Sequence, residues 1–185
     1  ERFHLSEYKT RQGGGYKKEA EDTDKIILTA NEWTRADAMA ANVLEDDLVG
    51  DIIANSDKEV PFIKEIFGVM CKGKLDLISD DFGVKVASDL KTTSGSIEEF
   101  MDSAWKYNYH RQAAMYIELS GADEFWFIPV EKNGNHRSGV YQFTKDSSFI
   151  QQGYDMLFKD IQTYRKLFLE GGYDPESTPV YRFEN

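Results

Sequence analysis

"GKLDLISDDFGVKVASDLKTT", residues 73–93, reads as two strands joined by a turn. Aliphatic and polar residues alternate on both sides of "SDDFG", a run of turn-forming residue types. Asp76 stands on one arm, and Asp89 and Lys91 on the other. Side chains two residues apart on a strand share a face, so Asp89 and Lys91 point the same way. A reversal near Asp81 and Phe82 brings Asp76 opposite residue 87 or 88, a diagonal neighbour of Asp89. Two carboxylates then converge beside one ammonium, and the carbonyl of Leu90 can add a further oxygen.

Hard oxygen donors of this kind suit Mg²⁺ or Mn²⁺ and not a thiophilic metal. Such an ion polarises a phosphate and lowers the pKa of the attacking water. Lys91 would orient that water or stabilise the developing negative charge. The spacing of the acid and the lysine decides nothing by itself. With 33 acids and about 15 lysines among 185 residues, it arises by chance roughly two or three times. Glu7-Tyr8-Lys9 is a second instance. The plain alternative is a surface hairpin whose Asp89 and Lys91 solubilise one face. The stronger signal is "GKLD", a turn and "ASDLKTT" together, followed by "WKYNYHRQAAMYIEL". There Tyr109, Gln112 and Tyr116 fall at i, i+3 and i+7, on one helical stripe. Gln112 would hold the attacking water or a phosphate oxygen, and Tyr116 would hydrogen-bond the scissile region. Alternatively, the two tyrosines are half-buried core and Gln112 is a boundary residue.

Composition sets bounds on this reading. A chain of 185 residues that is 41% hydrophobic and 14% aromatic can bury a core, and disorder is excluded as a description of the whole. No apolar run is long enough to span a bilayer, and no signal peptide opens the sequence. The lone Cys71 excludes an internal disulfide, a four-cysteine zinc site and a four-cysteine cluster, and it fits a reducing cytoplasm. The net charge of −11 opposes tight, sequence-independent DNA binding unless a local basic groove exists.

Around the hairpin, residues 1–28 read as polar, Gly-rich and loop-like, the tail of a truncated N-terminal region; residues 29–185 read as the domain proper. "TANEWTRADAMAANVLEDDLVGDIIAN" reads as a helix or two, capped by Thr29 or Asn31, with Met39, Val43, Leu44, Leu48 and Ile52 at helical spacing. "VPFIKEIFGV", "MCKGKLDLIS" and "GVKVASDLKT" read as three strands. A long helix is expected from about Ser96 to Leu119, with Ser96 and Glu99 in capping-box spacing. Two strands, "GADEFWFIPVEK" and "RSGVYQFTK", and a last helix ending at paired glycines complete the order. His110 is expected on a helix surface, His136 in a turn, and "EDD" at 45–47 on a solvated helix face. Trp105, Trp126 and Phe127 are expected in the core.

"CKGKLDLI", "VASDLKTT" and "YHRQAAMYIEL" together resemble the PD-(D/E)xK nuclease superfamily, specifically the exodeoxyribonuclease VIII (RecE-type) domain of phages and prophages. The resemblance extends over most of residues 30 to 170. It implies an α/β, restriction-endonuclease-like fold with a mixed central β-sheet flanked by helices. It also implies an Mg²⁺- or Mn²⁺-dependent exonuclease that resects one strand from a duplex DNA end, leaving a 3′ tail for a single-strand annealing recombinase. A ring-shaped homo-oligomer in the bacterial cytoplasm, with no membrane association, goes with it. Carried over, Asp76, Asp89 and the Leu90 carbonyl become metal ligands, Lys91 the catalytic lysine, and Gln112 and Tyr116 the active-site helix residues. Two departures stand out. Lys74 replaces the family's arginine in KGR, so a bidentate phosphate grip is lost. The family's upstream histidine ligand is not found; His4 in "ERFHLSEY" matches the stretch after it, and Glu59 is the candidate extra acid. The rival readings are a DNA-end-binding module of the same fold that has lost catalysis, and an iron–sulfur relative, which the single cysteine argues against.

Overall fold

The computed structural model describes residues 3–81 and 83–171, with Asp81 described by its backbone alone. The chain divides into two compact units. One comprises residues 1–55, 90–100 and 127–141, the other residues 56–89, 101–126 and 142–185.

In the second unit, strands β3 (Asp57–Ile66) and β4 (Val69–Asp81) form a hairpin. Ile66 pairs with Val69, and the two residues between them, Phe67 and Gly68, both have positive φ (49° and 81°). Such a pair matches the twist of the flanking strands. Strand β5 (Val84–Thr93) runs antiparallel to β4, and its residues as far as Asp89 lie in this unit. Strand β6 (Glu124–Glu131) follows a crossover made by helices α4 (Phe100–Lys106) and α5 (Tyr109–Ser120). The Asp123 amide, at the start of β6, donates to the Lys85 carbonyl on β5 at 2.7 Å. Parallel pairing of this kind needs a helical crossover. Strand β7 (Tyr141–Thr144) returns antiparallel, with the Lys145 amide donating to the Asp123 carbonyl at 3.0 Å. The sheet order β3-β4-β5-β6-β7 is therefore mixed, as expected from the sequence. Edge strand β3 carries Pro61 and charged residues, which blunt edge-to-edge pairing.

Helix α6 (Ser148–Tyr164) buries Phe149, Ile150, Gly153, Leu157 and Ile161 on one stripe. Ile66, Leu119, Leu157 and Ile161 form a cluster, lined by Phe62, Val69, Cys71, Met115 and Tyr116. A π-helical turn, Arg165–Leu169, extends α6, and Gly171 follows it with a positive φ of 75°; Gly172, the second glycine expected at the helix end, lies outside the described residues. The single helix expected over 96–119 is broken. Asn108 adopts the left-handed conformation at φ 56°, which asparagine tolerates better than most residues, and α5 restarts after it. His110 is consequently not on a surface. It lies three, four and seven residues before buried Ala113, Ala114 and Ile117, and is itself 4% exposed. Its Nε2 lies 2.9 Å from Met156 Sδ, its ring packs on Trp105 and Phe149, and its Nδ1 is buried without a hydrogen-bond partner among the described residues. Trp105, expected in the core, is instead 42% exposed, with one face on Phe149.

In the first unit, residues 3–28 are more ordered than a polar loop. Strands β1 (Phe3–Leu5) and β2 (Ile26–Leu28) pair in parallel around helix α1 (Gly14–Glu21). The few apolar residues suffice because Tyr16 and Ile27 are buried. His4 Nε2 and Ser6 Oγ both bond the Glu19 carboxylate, at 2.8 and 2.5 Å. The Ser6 hydroxyl, with help from His4, lowers the pKa of Glu19. Thr29 caps α2 (Ala30–Glu45) in a full capping box with Glu32. "EDD" is more than a solvated face: Asp46 separates α2 from α3 (Asp47–Ala54) and accepts from the amides of Leu48 and Val49. That break resets the helical phase, so Val43 and Val49 are buried while Leu44 and Leu48 are exposed. Phe127 is fully buried on β6, as expected, and His136 follows the turn at Gly134 with φ 54°. No helix among the described residues is long and apolar enough to cross a membrane.

Burial, with Arg111 adding to it, pushes the His110 pKa below its ordinary 6.5. The folded state therefore binds this proton more weakly than the unfolded chain, and stability falls as pH drops below about 6.5 towards the lowered value. Thermal melts at pH 7.5 and pH 5 should show a loss of Tm that is smaller in His110→Phe.

Candidate active site

The β4–β5 ladder runs from Asp81↔Val84 to Leu77↔Ser88. Asp76 and Asp89 are the next residues on the two strands, each one residue beyond that last pair. The sequence reading placed Asp76 against residue 87 or 88. The difference is one residue of turn: the reversal expected at Asp81 and Phe82 comes later, because Asp81 is still paired; Phe82 itself lies outside the described residues.

Asp76 is half-buried and Asp89 is 3% exposed. Gln112 Nε2, on α5, donates to Asp89 Oδ1 at 2.8 Å. A buried carboxylate is stabilised by such a donor, and the bond sets the side-chain torsion of Asp89. Helix α5 can deliver Gln112 because β4 has a glycine beneath it. A Cβ at Gly73 would meet Leu119 Cδ1 at 2.7 Å and Tyr116 Cε1 at 3.2 Å. On the other side of α5, a Cβ at Gly153 of α6 would overlap the His110 carbonyl oxygen. The sequence reading gave Gly73 no role of its own, although its place in "KGKLD" ahead of a helix was the available signal. Tyr116 is half-buried over Gly73, with its ring 6.2 Å from Phe125; Tyr109 is also half-buried.

Leu90 and Lys91 continue β5 into the first unit, and both are half-buried. Glu59, the candidate extra acid, falls between the pairs Lys58↔Leu77 and Val60↔Leu75. It is exposed, has a positive φ of 58°, and forms an ion pair with Lys74. Lys74 therefore engages a carboxylate of the adjacent strand. His4 bonds Glu19, and His136 Nδ1 lies 3.0 Å from the Glu131 carbonyl oxygen. Among the described residues, no three His, Cys, Asp or Glu side chains gather as a metal cage. Two carboxylates, Asp76 and Asp89, stand on the hairpin strands of the second unit. Hard carboxylate oxygens are donors that Mg²⁺ or Mn²⁺ would accept, completing their shell with water and substrate phosphate.

The model of a family described as a PDDEXK-like domain of unknown function (DUF3799) matches residues 2–178. The fold is similar to the crystal structure of a "Putative exonuclease" from Eubacterium rectale, with a TM-score of 0.61 and 19% identity over 92% of this chain and 70% of that one. A phage related exonuclease from Haemophilus somnus 129PT aligns with a TM-score of 0.49 and 14% identity, over 75% of this chain and 73% of that one. None of the curated proteins matches the chain.

If Gly73 sets the height of α5 above β4, Gly73→Val should cost about 1–3 kcal/mol in a urea titration, the usual penalty for overpacking. Gly73→Ala should cost less, since Leu119 Cδ1 can move aside.

Proposed function

The chain belongs to the PDDEXK-like family whose model spans it, and on that premise we propose that it is a metal-dependent nuclease that hydrolyses phosphodiester bonds from duplex DNA ends. One observation carries the reading. A carboxylate that is 97% buried, Asp89, is held by a side-chain amide, and a second carboxylate, Asp76, stands like it one residue beyond the last pair of the β4–β5 ladder, Leu77↔Ser88. Structural hairpins avoid placing two acids together, because like charges repel and burial raises the cost.

Asp76, Asp89 and the Leu90 carbonyl would hold Mg²⁺ or Mn²⁺. When bound, such an ion polarises the scissile phosphate and makes the attacking water more acidic. Gln112 keeps Asp89 in one rotamer, so its carboxylate is ready before substrate arrives. The water oxygen bonds to phosphorus as the bond to the leaving sugar oxygen breaks. Lys91 supplies an ammonium for the charge that builds on the phosphoryl oxygens, and Tyr116 hydrogen-bonds the scissile region. Further parts of the reading are a 3′ tail handed to a single-strand annealing recombinase and a ring-shaped homo-oligomer.

End-labelled linear duplex, incubated with Mg²⁺ or Mn²⁺, should release nucleotides, whereas a closed circle or a chelated sample should not. Asp89→Asn should abolish both Mn²⁺ binding by calorimetry and cleavage. Lys91→Ala should keep Mn²⁺ binding and lose about 10²-fold or more in rate. Cleavage at an equal rate would remove the lysine from the chemistry. Metal-independent end binding without cleavage would instead point to a binding module of the same fold.

A further inference from the structure

Residues 8–18, "YKTRQGGGYKK", contain Lys9, Arg11, Lys17 and Lys18 and no acid. No other stretch between successive acidic residues of this sequence carries four lysines or arginines, and the chain as a whole has a net charge of −11. Every residue from Lys9 to Lys18 is exposed except Tyr16, which is buried. The segment is nonetheless anchored. Arg11 Nε donates to the Glu32 carboxylate at 2.8 Å, and the guanidinium lies 6.0 Å from the Tyr16 ring. The Arg11 hydrogen bond and the Thr29 amide hold the Glu32 pKa down to about 2, so the anchor keeps its charge. Arg11 is thus engaged with α2, while Lys9, Lys17 and Lys18 form no ion pair among the described residues. Gly13 and Gly14 have nothing within 4 Å of where a Cβ would stand, which leaves room for a bulky ligand against the backbone.

We propose that this segment grips the sugar–phosphate backbone of duplex DNA, through Lys9, Lys17 and Lys18 and without sequence preference. The choice of polyanion rests on the nuclease reading above. Two observations favour nucleic acid over an acidic protein. Of residues 8–18 only Tyr8 exposes a large ring, at 43%, and its hydroxyl end lies against Gly15, whereas protein interfaces draw most of their affinity from a cluster of such anchors. Three lysines of one sign, Lys9 before the Gly13 cap and Lys17 and Lys18 on α1, suit a repeating phosphate chain, where each contact releases a counterion. An acidic enzyme needs such a local patch, because most of its surface repels the substrate within a Debye length of about 10 Å at 0.1 M salt.

The test uses the full chain and a labelled blunt duplex, with Ca²⁺ in place of Mg²⁺ and fluorescence anisotropy as the readout. Replacing Lys9, Lys17 and Lys18 by glutamine should weaken binding about ten-fold and flatten the plot of log K against log salt by about 2.7, or roughly 0.9 per lost phosphate contact. Replacing the same three by arginine should restore both. Tm and calorimetric Mn²⁺ binding should not change in either variant. Equal affinity and equal slope in the glutamine variant would overturn the grip, and the nuclease reading would stand on its cleavage assay. Lysine-dependent binding by a chain that never cuts would leave the grip in place and sink the nuclease reading. If poly-glutamate competes as well as duplex of equal charge, the patch is not built for nucleic acid and the proposal falls.

Discussion

Burying a carboxylate is costly unless a donor meets it, and Asp89 is buried to 3% exposure inside a five-stranded sheet. Gln112 supplies that donor from α5 at 2.8 Å, so the position of one helix relative to one strand becomes a requirement. Much of the second unit can be read as meeting it. The crossover places α5 against the sheet, and the left-handed residue Asn108 starts a new helix where the old one would have run on.

Two glycines set the clearance. Gly73 lets Tyr116 and Leu119 lie close to β4, and Gly153 lets α6 pack against the His110 carbonyl. Ala113 and Ala114, both fully buried, keep the same face of α5 small. Close packing on both sides leaves α5 little freedom to shift, which is what a side chain needs if it is to hold a carboxylate in one rotamer. His110 follows from the same packing. It occupies a place on the buried stripe, and its lowered basicity is the consequence.

Electrostatics follow a different logic. The chain is strongly acidic, yet its charges are arranged locally: Arg137 bridges Glu98 and Glu131, Lys145 pairs with Asp123, and Lys74 pairs with Glu59. The exposed pairs among these contribute little to stability. They do reduce the number of unopposed charges at the surface, and against that background the acid-free segment 8–18 stands out.

By itself the sequence determined the class of each element in the hairpin and the sheet, because strand alternation and turn chemistry act over a few neighbouring residues. It also marked Asp89 and Gln112 as residues of interest, since strand and helix periods confine them to particular faces, but that Gln112 donates to Asp89 itself was visible only in the structure. The start of α2 was legible for the same reason, although the choice of Thr29 over Asn31 as its cap was made by the structure. What it could not determine were quantities fixed by distant packing. Pairing of Asp81 with Val84 moved the register of Asp76 by one residue, and register depends on the whole ladder. The breaks at Asp46 and Asn108 re-phased helices whose apolar spacing looked continuous, burying His110 and exposing Leu44 and Leu48. The Glu59–Lys74 pair formed where φ turned positive in an edge strand. In each case a local pattern allowed two arrangements. The tertiary structure chose between them, because only packing against another element penalises the wrong one.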